Sequence, residues 1–254
     1  MSLVSSLRGI GGDLLSAILF LTRIPIPSPP YESDSLSRAV KFFPLVGAFI
    51  GGAAALLHHF LVPHLSRLPA ALLILIFLVW VTGCLHEDGL ADTADAFGGG
   101  RNREQILLIL HDSRIGSYGA AALGLSLLAR LILIASLPLA HIACYLVAAH
   151  ILCRWTTLPL SYFLPAARAG DGQGARVAQL TTLTSLIMGT LFSFVVVGYL
   201  LRWQAIASIL VAIAITTLSA RFYKRKINGV TGDCFGATNQ LTEIAIYVCG
   251  VWIV

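Results

Sequence analysis

Leu68-Pro-Ala-Ala-Leu-Leu-Ile-Leu-Ile-Phe-Leu-Val-Trp-Val-Thr-Gly-Cys-Leu-His86 contains no Asp, Glu, Lys or Arg. About 20 mainly apolar residues, rising about 1.5 Å each, cross the roughly 30 Å of hydrocarbon in a bilayer, so this run reads as a spanning helix. The rest of the chain agrees. Of its 254 residues, 57% are hydrophobic and 11% charged, against about 45–50% and about 25% in soluble domains. A mean hydropathy of +0.85 exceeds what one soluble core can hide, because a chain this short keeps too much surface. Further candidate spans are 42–62, 116–138, 141–164, 183–201, 204–220 and 238–254. Segment 13–24 is shorter, and spans obliquely, re-enters or lies in the interface. The expected fold is an all-α integral membrane protein, a bundle of seven to eight transmembrane helices, with residues 1–254 as a single polytopic domain without repeats.

Outside the spans lie four polar intervals, 25–41, 87–115, 165–182 and 221–237. With 13–24 taken as a helix, they and Arg23 fall on one side and collect most of the Lys and Arg, while Arg8, Arg67 and Arg202 fall on the other. The positive-inside rule then puts the four loops in the cytoplasm. Most acids lie in the same loops, which points to chemistry at the inner membrane surface. The net charge of +5 therefore reads as membrane orientation, with no nucleic acid as partner. The five cysteines, Cys84, Cys144, Cys153, Cys234 and Cys249, are widely spaced without a C-x-x-C, so neither a disulfide framework nor a zinc site is indicated. The short apolar run after Arg8 has no small-residue cleavage site behind it and reads as retained sequence.

Directly after the quoted span comes Glu87-Asp-Gly-Leu-Ala-Asp-Thr-Ala-Asp95. Asp88, Asp92 and Asp95 are spaced i, i+4, i+7, so on a helix they share one face. Stacked carboxylates repel. A divalent cation relieves that repulsion, and an all-oxygen ligand set suits Mg²⁺. His86 and Glu87 read as a supporting group, a base, or merely interfacial residues. The plain alternative for the cluster is an acidic first turn emerging from the membrane.

Two other stretches suit anions. Asp112-Ser-Arg-Ile-Gly-Ser-Tyr-Gly119 offers Ser113, Arg114 and the amide of Gly116 at a helix start, and Arg101 and Arg103 precede it. Asn228-Gly-Val-Thr-Gly-Asp-Cys-Phe-Gly-Ala237 supplies Gly229, Thr231, Gly232 and Gly236 as open amides and a hydroxyl, with Asp233 as a metal or ribose contact. The basic run Arg221 to Lys226 reads as a membrane anchor. Arg130, Arg154 and Glu243 fall inside spans, where an ionisable group is a functional candidate; the two arginines read equally as ion-paired or anion-binding. His150 reads as packed core. There is no G-x-x-x-x-G-K-[ST], so nothing marks ATP hydrolysis.

His86-Glu-Asp-Gly-Leu-Ala-Asp-Thr-Ala-Asp95 resembles the H-x-D-G-L-A-D-T-x-D signature of the cobalamin synthase (adenosylcobinamide-GDP ribazoletransferase) family. Leu21-Thr-Arg-Ile-Pro25, Phe43-Pro-Leu-Val-Gly47, Asp112-Ser-Arg-Ile-Gly116 and Gly229 to Ala237 follow its order and spacing over nearly the whole chain. Two departures stand out: Cys84 sits where a glycine is usual, and Glu87 replaces an apolar residue. The resemblance implies a bacterial inner-membrane enzyme with Mg²⁺ as cofactor. Its substrates would be adenosylcobinamide-GDP and α-ribazole or α-ribazole 5′-phosphate, and its products adenosylcobalamin or its 5′-phosphate, and GMP. Mapped here, Asp88, Asp92 and Asp95, with Asp233 as a further ligand, would hold Mg²⁺ on the pyrophosphate. Arg114, with Arg101 or Arg103, would neutralise charge, and His86 or Glu87 would be the base. Whether the chain forms a homo-oligomer stays open. The competing readings are a CDP-alcohol phosphotransferase, disfavoured because no Arg follows Ala91, and a membrane transporter, supported by the charges inside spans.

Overall fold

The computed structural model describes residues 3–26, 35–112, 114–168 and 181–252. Ser113 lies outside the described residues. The described chain is helical, apart from one isolated parallel bridge between Ala166 and Val230. The α-helices are α1 (Leu3–Leu21), α2 (Ser35–Ala39), α3 (Phe43–Leu61), α4 (Arg67–Thr82), α5 (Leu85–Gly99) and α6 (Arg103–Ile109). They are followed by α7 (Ser117–Ser136), α8 (Ile142–Trp155), α9 (Thr157–Phe163), α10 (Leu183–Leu201), α11 (Ala205–Ile227) and α12 (Gly232–Trp252).

Four apolar helical stretches of the described residues are long enough to cross a membrane: Leu36–Leu61, Ser117–Ser136, Ile142–Phe163 and Leu183–Ile227. A fifth results if α4 and α5 count as one broken span. The expectation of seven to eight differs from this at four places, each with a physical cause. In α1 the apolar part, Gly9–Leu21, is too short to cross. Span 68–86 breaks early, because Gly83 and Cys84 both adopt left-handed φ of 63° and swing α5 through 85° from α4. Helix α12 is too polar to register, since Thr238, Asn239, Gln240, Thr242 and Glu243 occupy its middle; all five are buried by protein.

The 45-residue stretch Leu183–Ile227 would run about 68 Å if straight, over twice the hydrocarbon thickness. It turns back instead. Thr181, just before it, bonds Ser161 at 2.8 Å, and Val230, just after it, donates its N–H to the Pro165 carbonyl at 2.9 Å. Both ends therefore meet the end of α9, and the reversal falls at Arg202, whose φ is +53°.

Helices α3 and α8 form the tightest pair. A Cβ on Gly47 would lie 2.0 Å from the His150 carbonyl oxygen, and one on Gly51 would lie 2.6 Å from that of Leu146. Small residues four apart allow this backbone approach where lipid gives helices no hydrophobic drive to associate. Phe43, Ile50, Ile74, Leu146 and Tyr145 fill the core around the contact. Large apolar side chains also stay exposed, among them Phe49, Leu125, Leu191 and Tyr199.

Candidate active site

Helix α5 lies against α7 and α12, and glycines set both crossings. A Cβ on Gly89 would stand 2.9 Å from the Asp233 carbonyl oxygen and 3.2 Å from Gly236 Cα. On Gly119 of α7 it would meet the Ala91 carbonyl oxygen at 2.8 Å. These contacts bring the loop 229–237 and the start of α7 against the acidic helix, uniting three stretches that are far apart in sequence. Gly236 thus acts as a packing surface, and Gly232 and Asp233 line a cavity with His86 and Asp88.

Asp88, Asp92 and Asp233 form the open part of the acidic cluster. Burial first, then the charges of Asp88, Asp233 and Asp95, push the Asp92 carboxyl up to about 6. Asp233 is also raised, mainly by burial, with partial relief from its 3.2 Å bond with the Thr231 hydroxyl and from the Arg168 charge. Carboxylates that raise one another's pKa are the condition a cation relieves. Among the described residues no three of these carboxylates bring oxygens within 4.8 Å of one another. A Mg²⁺ ion suits such a sparse set, because it keeps waters and is commonly held by one or two carboxylates plus substrate phosphates.

Asp95 faces elsewhere. Its carboxylate accepts the Gly116 N–H at 2.6 Å and the Gly119 N–H at 2.8 Å, capping α7 from outside that helix. A Cβ at Gly119 would sit 2.2 Å from Asp95 Oδ2, so the glycines of this motif admit a carboxylate of the protein itself. The i, i+4, i+7 geometry holds, but the third acid is engaged in fixing the Arg114 loop beside the first two. Arg114 is exposed and pairs with Asp112 at 2.6 Å, which holds the Asp112 carboxyl down at about 2.

Arg103 is a fastener: it donates to the Ile227 carbonyl at 3.0 Å and the Ala167 carbonyl at 2.7 Å. Gly229 packs on the same segment, where a Cβ would lie 2.6 Å from the Pro165 oxygen. Thr231 caps the start of α12 through the Cys234 N–H at 3.4 Å. Arg101 stays exposed. Sequence reasoning passed over Arg168, whose charge reaches Asp233; a lone Arg in a long loop carries no signal of its own.

Glu87 turns away from the open cluster. Arg130 of α7 donates to Glu87 at 2.6 Å and to Glu243 of α12 at 3.0 Å, and Gln240 joins both Arg130 and Glu87. All these side chains are buried. Of the charges inside spans that would favour a transporter, Arg130 and Glu243 thus pair with each other. His150 is buried as expected; with Cys153 and Glu243 it forms a compact group of ligand-type atoms. Arg154, however, bonds both His150 and Cys153, and two guanidiniums so close make the group hostile to a cation.

Apolar helices and a carboxylate cluster at a helix crossing mark a membrane-type protein. A family model described as Cobalamin-5-phosphate synthase matches residues 13–251. An adenosylcobinamide-GDP ribazoletransferase of Azorhizobium caulinodans is 43% identical, covering 95% of each chain. Proteins of that name from Sinorhizobium medicae and Pseudoalteromonas atlantica are 38% and 35% identical, covering 96% and 92% of this chain and 97% and 89% of their own. No solved structure matches. The chain belongs to the cobalamin-5-phosphate synthase family.

Proposed function

We propose that this protein catalyses the final assembly step of adenosylcobalamin, joining adenosylcobinamide-GDP to α-ribazole or its 5′-phosphate with release of GMP. The observation that carries the reading is the meeting of Asp88 and Asp92 with Asp233 where α5 crosses α12, in a chain whose relatives carry the ribazoletransferase name. A ribose hydroxyl of the acceptor loses its proton and forms an O–P bond to the cobinamide-bearing phosphorus. The P–O bond to the GMP moiety breaks, and the bridging oxygen leaves with GMP. Glu87 is committed to Arg130, so His86, which lines the cavity beside Asp88, takes the proton.

Two of Asp88, Asp92 and Asp233 would hold Mg²⁺, which supplies charge neutralisation at the phosphates when bound. Arg114 stands two residues before the Gly116 amide that Asp95 fixes. Together with Arg101 or Arg168, it offers the guanidinium charge that stabilises the phosphorus and its leaving group. The same reading places the protein in the bacterial inner membrane with the site on the cytoplasmic face. Helices α3, α4, α7, α8 with α9, α10, α11 and α12 would make seven crossings, with α1 too short to add an eighth. Purified protein in detergent, given both substrates, is expected to release GMP only with Mg²⁺ present; no release would overturn the assignment.

A further inference from the structure

We infer that the cavity enclosed by α1, α3, α5, α9 and the start of α12 is the acceptor subsite, which takes the aromatic nucleoside by its base and ribose hydroxyls; this rests on the function proposed above. Its two walls differ. Phe20 and Phe43, with rings stacked 5.4 Å apart and 12° from parallel, and Phe235 make an aromatic side. His86, Thr157, Asp88 and Asp233 make a polar side. The cavity holds about 160 Å³, comparable to a cavity that takes one aromatic ring, and it opens at a mouth.

The polar side is built for a ligand. His86 is 5% and Thr157 6% exposed, yet among the described residues neither side chain has a hydrogen-bond partner. An imidazole and a hydroxyl that line a cavity without a protein partner are free to bond a guest. The guest needs hydroxyls for these two groups and a flat apolar ring for the phenylalanines, which stack on any heteroaromatic base. Sugar hydroxyls bound there lie beside Asp88 and Asp233, where transfer is proposed.

The anionic partner belongs elsewhere. Among the described residues no Lys or Arg lines the cavity and two carboxylates do, so a dinucleotide-like diphosphate is repelled from it. Arg114 and Arg101 are exposed on the loops outside. A corrin macrocycle needs an open face of that kind. The two substrates therefore reach the acidic cluster from different sides, the nucleoside from within the bundle and the corrinoid nucleotide from the loop surface.

Calorimetric titration of the detergent-solubilised protein with α-ribazole alone, without the second substrate, tests this. Thr157→Val keeps the side-chain shape and loses the hydroxyl, and is expected to weaken α-ribazole binding about tenfold, the upper range for one hydrogen bond. Phe20→Leu is expected to weaken it by a similar factor, while adenosylcobinamide-GDP affinity stays within about twofold in both. Free 5,6-dimethylbenzimidazole is expected to compete with α-ribazole in wild-type protein and less well in Phe20→Leu. Melting temperatures check that each variant folds, and either variant alone decides the question. Unchanged α-ribazole affinity in the folded variants, with GMP release intact in wild-type protein, overturns the subsite and spares the proposed function. Absence of GMP release in wild-type protein overturns the function instead.

Discussion

Glu87 and Asp88 are neighbours on α5 and carry the same charge, but they enter opposite environments. Glu87 points inward, where Arg130, Gln240 and Glu243 surround it and the bundle excludes water. Asp88 is exposed and joins Asp92 and Asp233 in a group whose charges oppose one another. Within one helical turn, one set of acids is neutralised by the protein and the other is left for something the protein does not supply. Stability resides in the first and binding capacity in the second. The difference comes from the third helix at each place: α7 delivers a guanidinium to Glu87, whereas α12 delivers another carboxylate to Asp88 and Asp92.

Removing the charge that completes the inner group should cost most. Arg130→Ala leaves Glu87 and Glu243 buried without their cation, and a loss of about 3–5 kcal/mol in stability is expected, read as a large fall in melting temperature. An unchanged melting point would mean that water already reaches these carboxylates, and the contrast with the outer group would collapse. Asp92→Asn should do the reverse: GMP release falls on the order of 10²–10³-fold, while the melting temperature in chelator stays level or rises as repulsion is relieved. Wild-type turnover in that variant would reduce the outer group to ordinary surface charge. The smallest expected effect lies at the break before both groups. Cys84 holds a φ of 63°, a conformation that costs an L-residue roughly 1–2 kcal/mol. Cys84→Gly should therefore raise stability by about 1 kcal/mol in denaturant titration with the site unchanged; a loss would show that the side chain is needed there.

Both departures from the family signature acquire causes in the fold. The usual glycine suits the left-handed turn that Cys84 adopts under strain. Glu87, in place of an apolar residue, is tolerated because Arg130 faces it. Neither cause was legible in the signature itself, since one lies in backbone torsion and the other on a helix over forty positions away.

Composition and the long apolar runs made this read as an all-helical, membrane-type chain, because about 20 consecutive apolar residues suit a spanning helix. Local pattern located most helices and the acidic turn, since periodicity and charge scarcity act over a few residues. The motif order carried the family. What the order could not carry was engagement: which carboxylates meet a cation and which meet each other. Asp95 as the cap of α7, Arg103 as a fastener between α11 and the Ala167 segment, and the pairing of Arg130 with both Glu87 and Glu243 depend on which helices cross. So does α12, whose polar middle reads poorly as a span and is buried by its neighbours. Crossings are set by glycines such as Gly89 and Gly236, whose missing side chains leave no trace in hydropathy or charge, and only the tertiary structure decides what comes to lie against them.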